Sequence, residues 1–189
     1  MQQEFLIDIE RAVEALKEGK IILYPTDTIW GLGCDATNEG AVERLFELKA
    51  RPSSKAMLSL VDSLETLNKW VKKVPDKAVE MMATIDEPLT IIYDSPQGIA
   101  PALKAEDGSA AFRIPKNEFT QEVCRRLGRP LVSTSPNISG GKSPACFAEI
   151  DPAIIGKADY VCKSHRYARC ASPSRILKIT DSGALTAIR

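Results

Sequence analysis

Four polar residues in two short motifs have the types and spacing to bind an anion. Lys49 and Arg51 form a Lys-x-Arg at the predicted end of a helix, and Ser135 and Asn137 form a Ser-x-Asn after a predicted buried strand. Lysine supplies a point charge, arginine a planar fork suited to phosphate or carboxylate, and serine and asparagine add neutral donors. Because the group contains no obvious nucleophile or redox centre, it predicts a site that holds and neutralises a phosphorylated ligand.

Arg113 is a further candidate cation, in a strand predicted over residues 109–114. Successive side chains of a strand point to opposite faces, so Arg113 shares a face with Ser109, opposite Phe112. An arginine and a serine beside small alanines leave room for a ligand on that face.

The glycine motifs do not match the usual nucleotide-binding loops. The G-x-G-x-x-A at residues 31–36 lies six residues beyond its predicted strand and has no acid at the required distance, which argues against a dinucleotide fold. The GGKS at residues 140–143 resembles the end of a phosphate-binding loop, but Pro136 stands where that motif needs glycine. The sequence also argues against a serine hydrolase, because His165 is the only histidine and no G-x-S-x-G occurs.

Composition limits the class of protein. The 189 residues are 44% hydrophobic and 26% charged with a formal net charge of zero, whereas a non-specific nucleic-acid binder would carry a strong basic excess. No apolar run approaches the ~20 residues of a membrane span and no signal peptide is visible, so we expect a cytoplasmic protein. Five cysteines without a C-x-x-C predict free thiols in a reducing compartment, and the lack of paired ligand spacings predicts no structural metal site.

The predicted elements alternate between helices and strands until two strands follow each other at the end of the chain. Strands are predicted at residues 21–24, 57–61, 89–93, 109–114, 130–133, 160–162, 175–179 and 184–188, and helices at 8–17, after Asn38, and at 63–72, 75–85 and 118–127. This order favours a twisted, mixed α/β sheet with flanking helices, in one domain over residues 1–189. Residues 94–108, with two prolines and two glycines, are predicted to form a mobile loop.

Five motifs resemble those of the YrdC family. PTDT-x-WGLGCD, LKARP, FRIP, LVSTSPNISG and SPSRI occur in that order over essentially the whole chain. Members of the family make L-threonylcarbamoyladenylate from L-threonine, bicarbonate and ATP and release pyrophosphate. The resemblance implies a YrdC-like fold and the same nucleotidyltransferase activity, whose product feeds the threonylcarbamoyl modification of adenosine in tRNA.

The resemblance also implies a role for each matching residue. Lys49, Arg51, Ser135 and Asn137 match the catalytic, nucleotide-handling motifs of the family. The residues expected around ATP are Lys49, Arg51, Ser109, Ser135, Ser143 and Arg189. Those expected around threonine are Thr26, Lys55, Arg113, Ser133 and Ser174, with Arg113 suited to the carboxylate. Mg²⁺ is expected to arrive with ATP.

The chain departs from the family pattern at four places. Asp27 stands where relatives commonly carry glutamate, and Pro136 stands inside a motif that usually reads S-A-N. Residues 85–88 replace a usual W-P-G-P before the strand at 89–93, and Leu60 replaces a histidine found in many relatives.

Two other functions remain open. Arginines at 125, 126 and 129, and a second basic cluster over residues 163–169, suit an RNA-binding protein without catalysis, although such clusters are usually solvated faces. Carbamoyl transfer to another substrate is the second, since the fold also occurs within larger carbamoyltransferases. The partners expected for a synthase are its three substrates and a downstream tRNA-modifying transferase, with weak binding of tRNA or double-stranded RNA as a further possibility and no membrane.

Overall fold

The computed structural model describes residues 2–50, 57–168 and 173–188. The helices in these ranges are α1 (Gln2–Lys17), α2 (Glu39–Leu48), α3 (Leu64–Trp70), α4 (Asp76–Thr84), α5 (Glu118–Leu127) and α6 (Pro152–Ile155). The strands are β1 (Ile22–Tyr24), β2 (Gly31–Gly33), β3 (Leu58–Leu60), β4 (Leu89–Tyr93), β5 (Ala110–Arg113), β6 (Leu131–Ser133), β7 (Tyr160–Val161), β8 (Arg175–Ile179) and β9 (Leu185–Ala187).

The strands form two hydrogen-bonded sheets that meet at β6. The smaller sheet has the order β2-β1-β7, and the larger has the order β6-β3-β5-β4-β8-β9. Isolated bridges join Leu32 to Thr134 and Asp35 to Leu131, so the segment containing β2 also pairs with the segment containing β6. The pairs β1–β7, β3–β5 and β4–β8 are parallel and the others are antiparallel. The predicted mixed α/β architecture with flanking helices is therefore confirmed.

The two glycines of β2 allow two strands to approach each other closely. A Cβ added to Gly33 would lie 1.7 Å from the carbonyl oxygen of Val132, a distance that no side chain can accommodate. Without that side chain, the Val132 N–H donates to the Cys34 carbonyl at 2.8 Å. These glycines therefore serve a close contact between two segments of the protein's own sheet.

Helices α1 and α5 pack together and cover part of the core. The buried positions of α1 include Ile9, Ala12 and Leu16, which have the helical spacing that the sequence predicts. Helix α5 ends at Gly128, whose φ of 68° is left-handed and suits glycine at a helix C-terminus. None of the helices in the described ranges has the length and apolar character needed to cross a membrane.

The segment between β4 and β5 contains ordered structure that the sequence did not predict. Pro101–Leu103 forms a short 3-10 helix, and Leu103 is fully buried. The Ala100 N–H donates to the Ala36 carbonyl at 2.8 Å. This hydrogen bond joins the segment to the connection between β2 and α2. The predicted loop therefore contains one short helix, and its apolar residues Ile99, Ala100 and Leu103 pack into the core.

Candidate functional site

A cavity of about 360 Å³ lies over one face of the larger sheet. Its lining includes six residues that the sequence assigned to the site, namely Ser109, Arg113, Ser133, Ser135, Ser143 and Ser174. Thr28, Thr90 and Thr134 add further hydroxyl groups, while Ile92, Ile176 and Ile188 provide an apolar part of the wall. Among the described residues, the lining thus combines one buried cation with many neutral donors and an apolar surface, which is typical of a site for a small polar ligand.

The register of the central strands explains how Arg113 comes to line the cavity. Arg113 of β5 lies opposite Thr90 of β4, and both side chains face the cavity. Phe112, on the opposite face, is 2% exposed and belongs to the core. The predicted alternation along this strand is confirmed.

Arg113 is held by two residues of the turn between β1 and β2. Its Nη1 donates to Thr28 Oγ1 at 2.9 Å, and its Nη2 forms an ion pair with Asp27 Oδ1 at 3.2 Å. The residue is 3% exposed, and its Nε is buried without a hydrogen-bond partner within the described part of the chain. Burial lowers the pKa of Arg113 while the carboxylate of Asp27 raises it, and the group remains charged near neutral pH because an arginine pKa ordinarily exceeds about 12.

Thr26 shapes the same turn rather than lining the cavity. Its hydroxyl donates to the Ile29 carbonyl at 2.6 Å and accepts the Thr28 N–H at 3.0 Å. The two threonine hydroxyls lie 3.0 Å apart, which links Thr26 through Thr28 to Arg113. Thr26 was expected to contact threonine directly. In the structure it acts through Thr28 and is not among the residues that line the cavity.

Two of the predicted serines have fixed partners. Ser174 Oγ lies 2.8 Å from Thr90 Oγ1, and both residues are buried. Ser109 donates to Asp107 Oδ1 at 2.6 Å, and Asp107 also forms an ion pair with Lys178. The bonds from Lys178 and Ser109 hold the pKa of Asp107 well below its usual range, so the carboxylate that orients Ser109 is ionised near neutral pH.

Lys49 is buried beneath the segment that carries the Ser-x-Asn motif. It is 1% exposed, and its Nζ donates to the carbonyl oxygens of Ser135 and, at 2.6 Å, Asn137. Its own carbonyl accepts the Ser139 N–H at 3.0 Å. The structure brings Lys49 to the motif that the sequence paired with it, but Lys49 is not among the residues that line the cavity.

Asn137 uses its side chain to hold its own loop. Its Nδ2 donates to the carbonyls of Ile138 at 2.9 Å and Gly141 at 2.8 Å. Its Oδ1 is buried and has no hydrogen-bond partner within the described residues, so one acceptor remains available. Asn137 is also absent from the cavity lining.

Three predicted site residues lie outside the described residues. Arg51 and Lys55 fall in residues 51–56, and Arg189 is the last residue of the chain. Their assignments stay predictions from the sequence.

The basic clusters that suggested RNA binding are partly neutralised. Arg125 and Arg126 both bond to Glu122, and these bonds lower the pKa of Glu122 to about 2. Arg129 forms an ion pair with the buried Asp35 at 2.6 Å. In the second cluster, Arg166 donates to the Cys162 carbonyl at 2.9 Å.

Three residues in the site were not identified from the sequence as ligands or positioning groups. Asp27 and Thr28 lie in the polar turn that was noticed as a motif, but their contact with Arg113 joins positions 85 or more residues apart. Thr90 shares a strand face with Ile92, and period-two alternation could have identified both as cavity residues. A group of three or more histidine, cysteine or acidic residues able to hold a metal ion is absent from the described residues.

Comparison with known proteins places this chain in a family. The family model named Sua5/YciO/YrdC, which carries the description "Telomere recombination", matches residues 14–189. The chain therefore belongs to the Sua5/YciO/YrdC family.

Relatives and solved structures agree with this assignment. A protein of Xanthomonas euvesicatoria pv. vesicatoria named threonylcarbamoyl-AMP synthase is 34% identical over 173 residues, which cover 90% of this chain and 92% of the relative. A variant of P. abyssi Sua5 superposes with a TM-score of 0.84 at 26% identity, over 96% of this chain and 55% of that protein. P. abyssi Sua5 complexed with L-threonine superposes with a TM-score of 0.79 at 25% identity, over 90% of this chain and 50% of that protein. The chain thus spans about half the length of Sua5 and nearly the whole length of the curated relative.

Proposed function

We propose that this protein is an L-threonylcarbamoyladenylate synthase, a nucleotidyltransferase that forms threonylcarbamoyl-AMP and pyrophosphate from L-threonine, bicarbonate and ATP. The observation that carries the proposal is a buried arginine, Arg113, in the wall of a cavity whose other described polar groups are mainly hydroxyls. The name of the Xanthomonas relative and the threonine complex of Sua5 support the choice of substrate.

The amino acid is assigned to the part of the cavity around Arg113. A guanidinium with a buried Nε lacking a partner in the described chain suits the α-carboxylate, because charge-assisted hydrogen bonds are strongest away from water. Ser133 and Ser174 line the same cavity and can bond to the ammonium or hydroxyl of threonine. Thr26 contributes by shaping the turn that holds Thr28 against Arg113. Lys55 remains a candidate from the family motif.

The nucleotide is assigned to the side of the cavity formed by the segment after β6. Ser135 and Ser143 line the cavity there and can donate to phosphate oxygens, while Ser109 lies on β5 with a fixed orientation. Asn137 and Lys49 hold the backbone of the same segment in place. Arg51 and Arg189 remain candidates for charge neutralisation at the phosphates.

The chemistry fits a site that binds and aligns its substrates. The threonine amine and bicarbonate form a carbamate with loss of water, and a carbamate oxygen then attacks the α-phosphorus of ATP. The bond from the α-phosphorus to the bridging oxygen breaks, and pyrophosphate leaves with that oxygen. Reaction between two anionic groups requires charge neutralisation and alignment more than a covalent catalyst.

Mg²⁺ is proposed to enter with ATP and to neutralise its phosphates. Serine hydroxyls and an asparagine oxygen are compatible with a metal ion held mainly by phosphate and water. In this arrangement the protein's residues orient the nucleotide.

The proposed cellular setting follows from the product. A reactive mixed anhydride must pass to a transferase that places the threonylcarbamoyl group on tRNA, so we infer a cytoplasmic location and such a partner. Direct binding of tRNA or double-stranded RNA, if present, would show a steep dependence on salt.

A pyrophosphate-release assay tests the proposal. The protein is incubated with ATP and Mg²⁺, with and without threonine and bicarbonate, and we expect release that requires both. Absence of threonine-dependent release would contradict it. Salt-sensitive RNA binding without nucleotide turnover would indicate the RNA-binding alternative, and release with another amino acid or with carbamoyl phosphate would indicate another carbamoyl transfer.

A further inference from the structure

Asp27 connects the cavity wall to two other parts of the chain. Its side chain is 10% exposed, and Oδ1 forms the ion pair with Arg113 Nη2. Its Oδ2 accepts the backbone N–H of Lys116 at 2.9 Å, in the segment that leads from β5 to α5. One carboxylate therefore contacts both the arginine and the chain three residues beyond it.

Lys116 is in turn fixed to the segment before β4. Its Nζ donates to the carbonyls of Ile85 at 3.2 Å and Asp86 at 2.7 Å. These carbonyls lie in the segment between α4 and β4. The carboxylate of Asp27 is thus held from the side opposite to Arg113, which limits its freedom to move.

The contacts of Arg113 restrict the guanidinium to one orientation. Thr28 accepts a hydrogen bond from Nη1, and Asp27 Oδ1 lies 3.2 Å from Nη2 in an ion pair that lacks hydrogen-bond geometry, while Nε is the buried donor without a partner in the described part of the chain. A guanidinium is planar, so fixing two of its nitrogens also fixes the direction of the third. Binding by a preoriented donor avoids the loss of side-chain freedom that a mobile arginine would suffer.

We propose that Asp27 is a positioning residue that presents Arg113 to the carboxylate of the amino-acid substrate. It acts by fixing the guanidinium plane and by compensating the buried charge while no substrate is bound. The proposal rests on the proposed function and adds a residue to it. Asp27 is not part of the cavity lining, so its role is to act through Arg113 rather than by touching substrate.

The kinetic test compares Asp27→Asn with the unsubstituted protein. We expect the KM for threonine to rise about 10- to 100-fold, with a small change in kcat and in the KM for ATP, because misplacement of a binding group weakens the contact that depends on it. Asp27→Glu, which keeps a carboxylate at this position on a side chain one methylene longer, is expected to hold the KM to within about threefold of the original value.

Asp35→Asn is the matched control. Asp35 is also a buried aspartate paired with an arginine, Arg129, but it lies outside the cavity lining. We expect this variant to lower the melting temperature while leaving the KM for threonine unchanged. A loss of stability from removing a buried carboxylate would therefore appear in the melting temperature of both variants. A positioning effect would raise the KM for threonine only in Asp27→Asn.

A measurement on the free protein separates this inference from the proposed function. In protein labelled with ¹⁵N-arginine, the Nε–H signal of Arg113, assigned by its loss in Arg113→Lys, is expected to shift or broaden in Asp27→Asn without any substrate. An unchanged signal would overturn the positioning role even if the protein is an active synthase. A threonine KM that is unchanged or lower in Asp27→Asn would also overturn it, since a lower value means that Asp27 competes with the substrate. If the unsubstituted protein shows no threonine-dependent turnover, the proposed function fails while the Arg113 signal still decides the positioning role.

Discussion

Arg113 and Lys49 are both almost completely buried cations, and both were predicted to bind an anionic group of a substrate. Their surroundings in the structure differ. Arg113 lies in the cavity wall, paired with the carboxylate of Asp27 and the hydroxyl of Thr28. Lys49 lies under the segment after β6 and donates to the carbonyl oxygens of Ser135 and Asn137.

The difference teaches that the partners of a buried cation indicate its role better than its residue type. Arg113 lines the cavity and keeps a buried Nε without a partner in the described part of the chain, so the residue is placed to meet a ligand. The carbonyl partners of Lys49 belong to residues 86 and 88 positions away in the chain, so the ammonium joins the end of α2 to the loop that carries the predicted phosphate contacts. Lys49 is thus placed to shape the site, and Arg113 to bind within it.

Substitution of Lys49 is expected to have the largest effect. Lys49→Met removes the donor from two partly buried hydrogen bonds, to the carbonyls of Ser135 and Asn137, and a carbonyl left unsatisfied away from water costs about 1–3 kcal/mol. We expect the melting temperature to fall, the loop after β6 to become sensitive to protease, and pyrophosphate release to drop more than about 100-fold. Lys142→Met, an exposed lysine in the same loop, is the control and should change neither property. Loss of activity at an unchanged melting temperature and protease pattern would mean that Lys49 acts through its charge on the nucleotide instead.

Arg113→Lys tests the role of Arg113, and we expect it to reduce activity less than Lys49→Met does. Lysine keeps the positive charge but cannot reproduce the planar fork that contacts Asp27, Thr28 and a carboxylate together. We expect the KM for threonine to rise about 10- to 100-fold while the KM for ATP changes little. Steady-state kinetics with each substrate varied in turn measures this. An equal rise in both KM values would place Arg113 at the nucleotide and remove the distinction between the two ends of the cavity.

Thr90→Val probes a hydroxyl pair in the cavity wall. The change keeps the side-chain shape but removes the hydroxyl that contacts Ser174, a hydrogen bond contributing about 1 kcal/mol. We expect the KM for threonine to rise about three- to tenfold. Thr66→Val breaks a similar bond, Ser63 to Thr66 at 3.1 Å, outside the cavity lining and should leave the KM unchanged. Equal kinetics for Thr90→Val and the original protein would show that Ser174 needs no such partner.

Substitution of Asp8, a buried residue outside the cavity lining, is expected to have the smallest effect, and this effect is on stability. Burial raises the pKa of Asp8, but hydrogen bonds from Ser164, Tyr160 and Lys163 outweigh it and lower the pKa below its usual value. A carboxylate with a lowered folded-state pKa stabilises the fold above its unfolded value, near 3.9, and loses that contribution as pH falls through the folded value. Urea unfolding should therefore show a stability difference between the original protein and Asp8→Asn that is constant above about pH 5 and shrinks below about pH 4. A difference that grows towards low pH would contradict this assignment.

Local patterns in the sequence were sufficient for most of the secondary structure. The strand β4 and the helix α5 have the predicted bounds, because an uninterrupted apolar run and a helix stopped by Gly128 are signals carried within a few residues. β2 was missed, because three residues with two glycines carry no strand pattern and pair only through contact with β1 and the segment around β6. The ordered 3-10 helix at Pro101–Leu103 was missed for the same reason, since its order comes from packing against other parts of the chain.

By itself, the sequence determined the mixed α/β class, the family and the chemical types of the site residues, since all of these depend on periodicity or on short motifs. It also placed Arg113 on the correct strand face, because the alternation of a strand is a local property. Only the tertiary structure decided that Asp27 holds Arg113, that Thr90 meets Ser174, and that Lys49 faces backbone carbonyls rather than the cavity. Each of these contacts joins positions more than 80 residues apart, and such pairs are brought together by strand order and register, which leave no signal at either position alone.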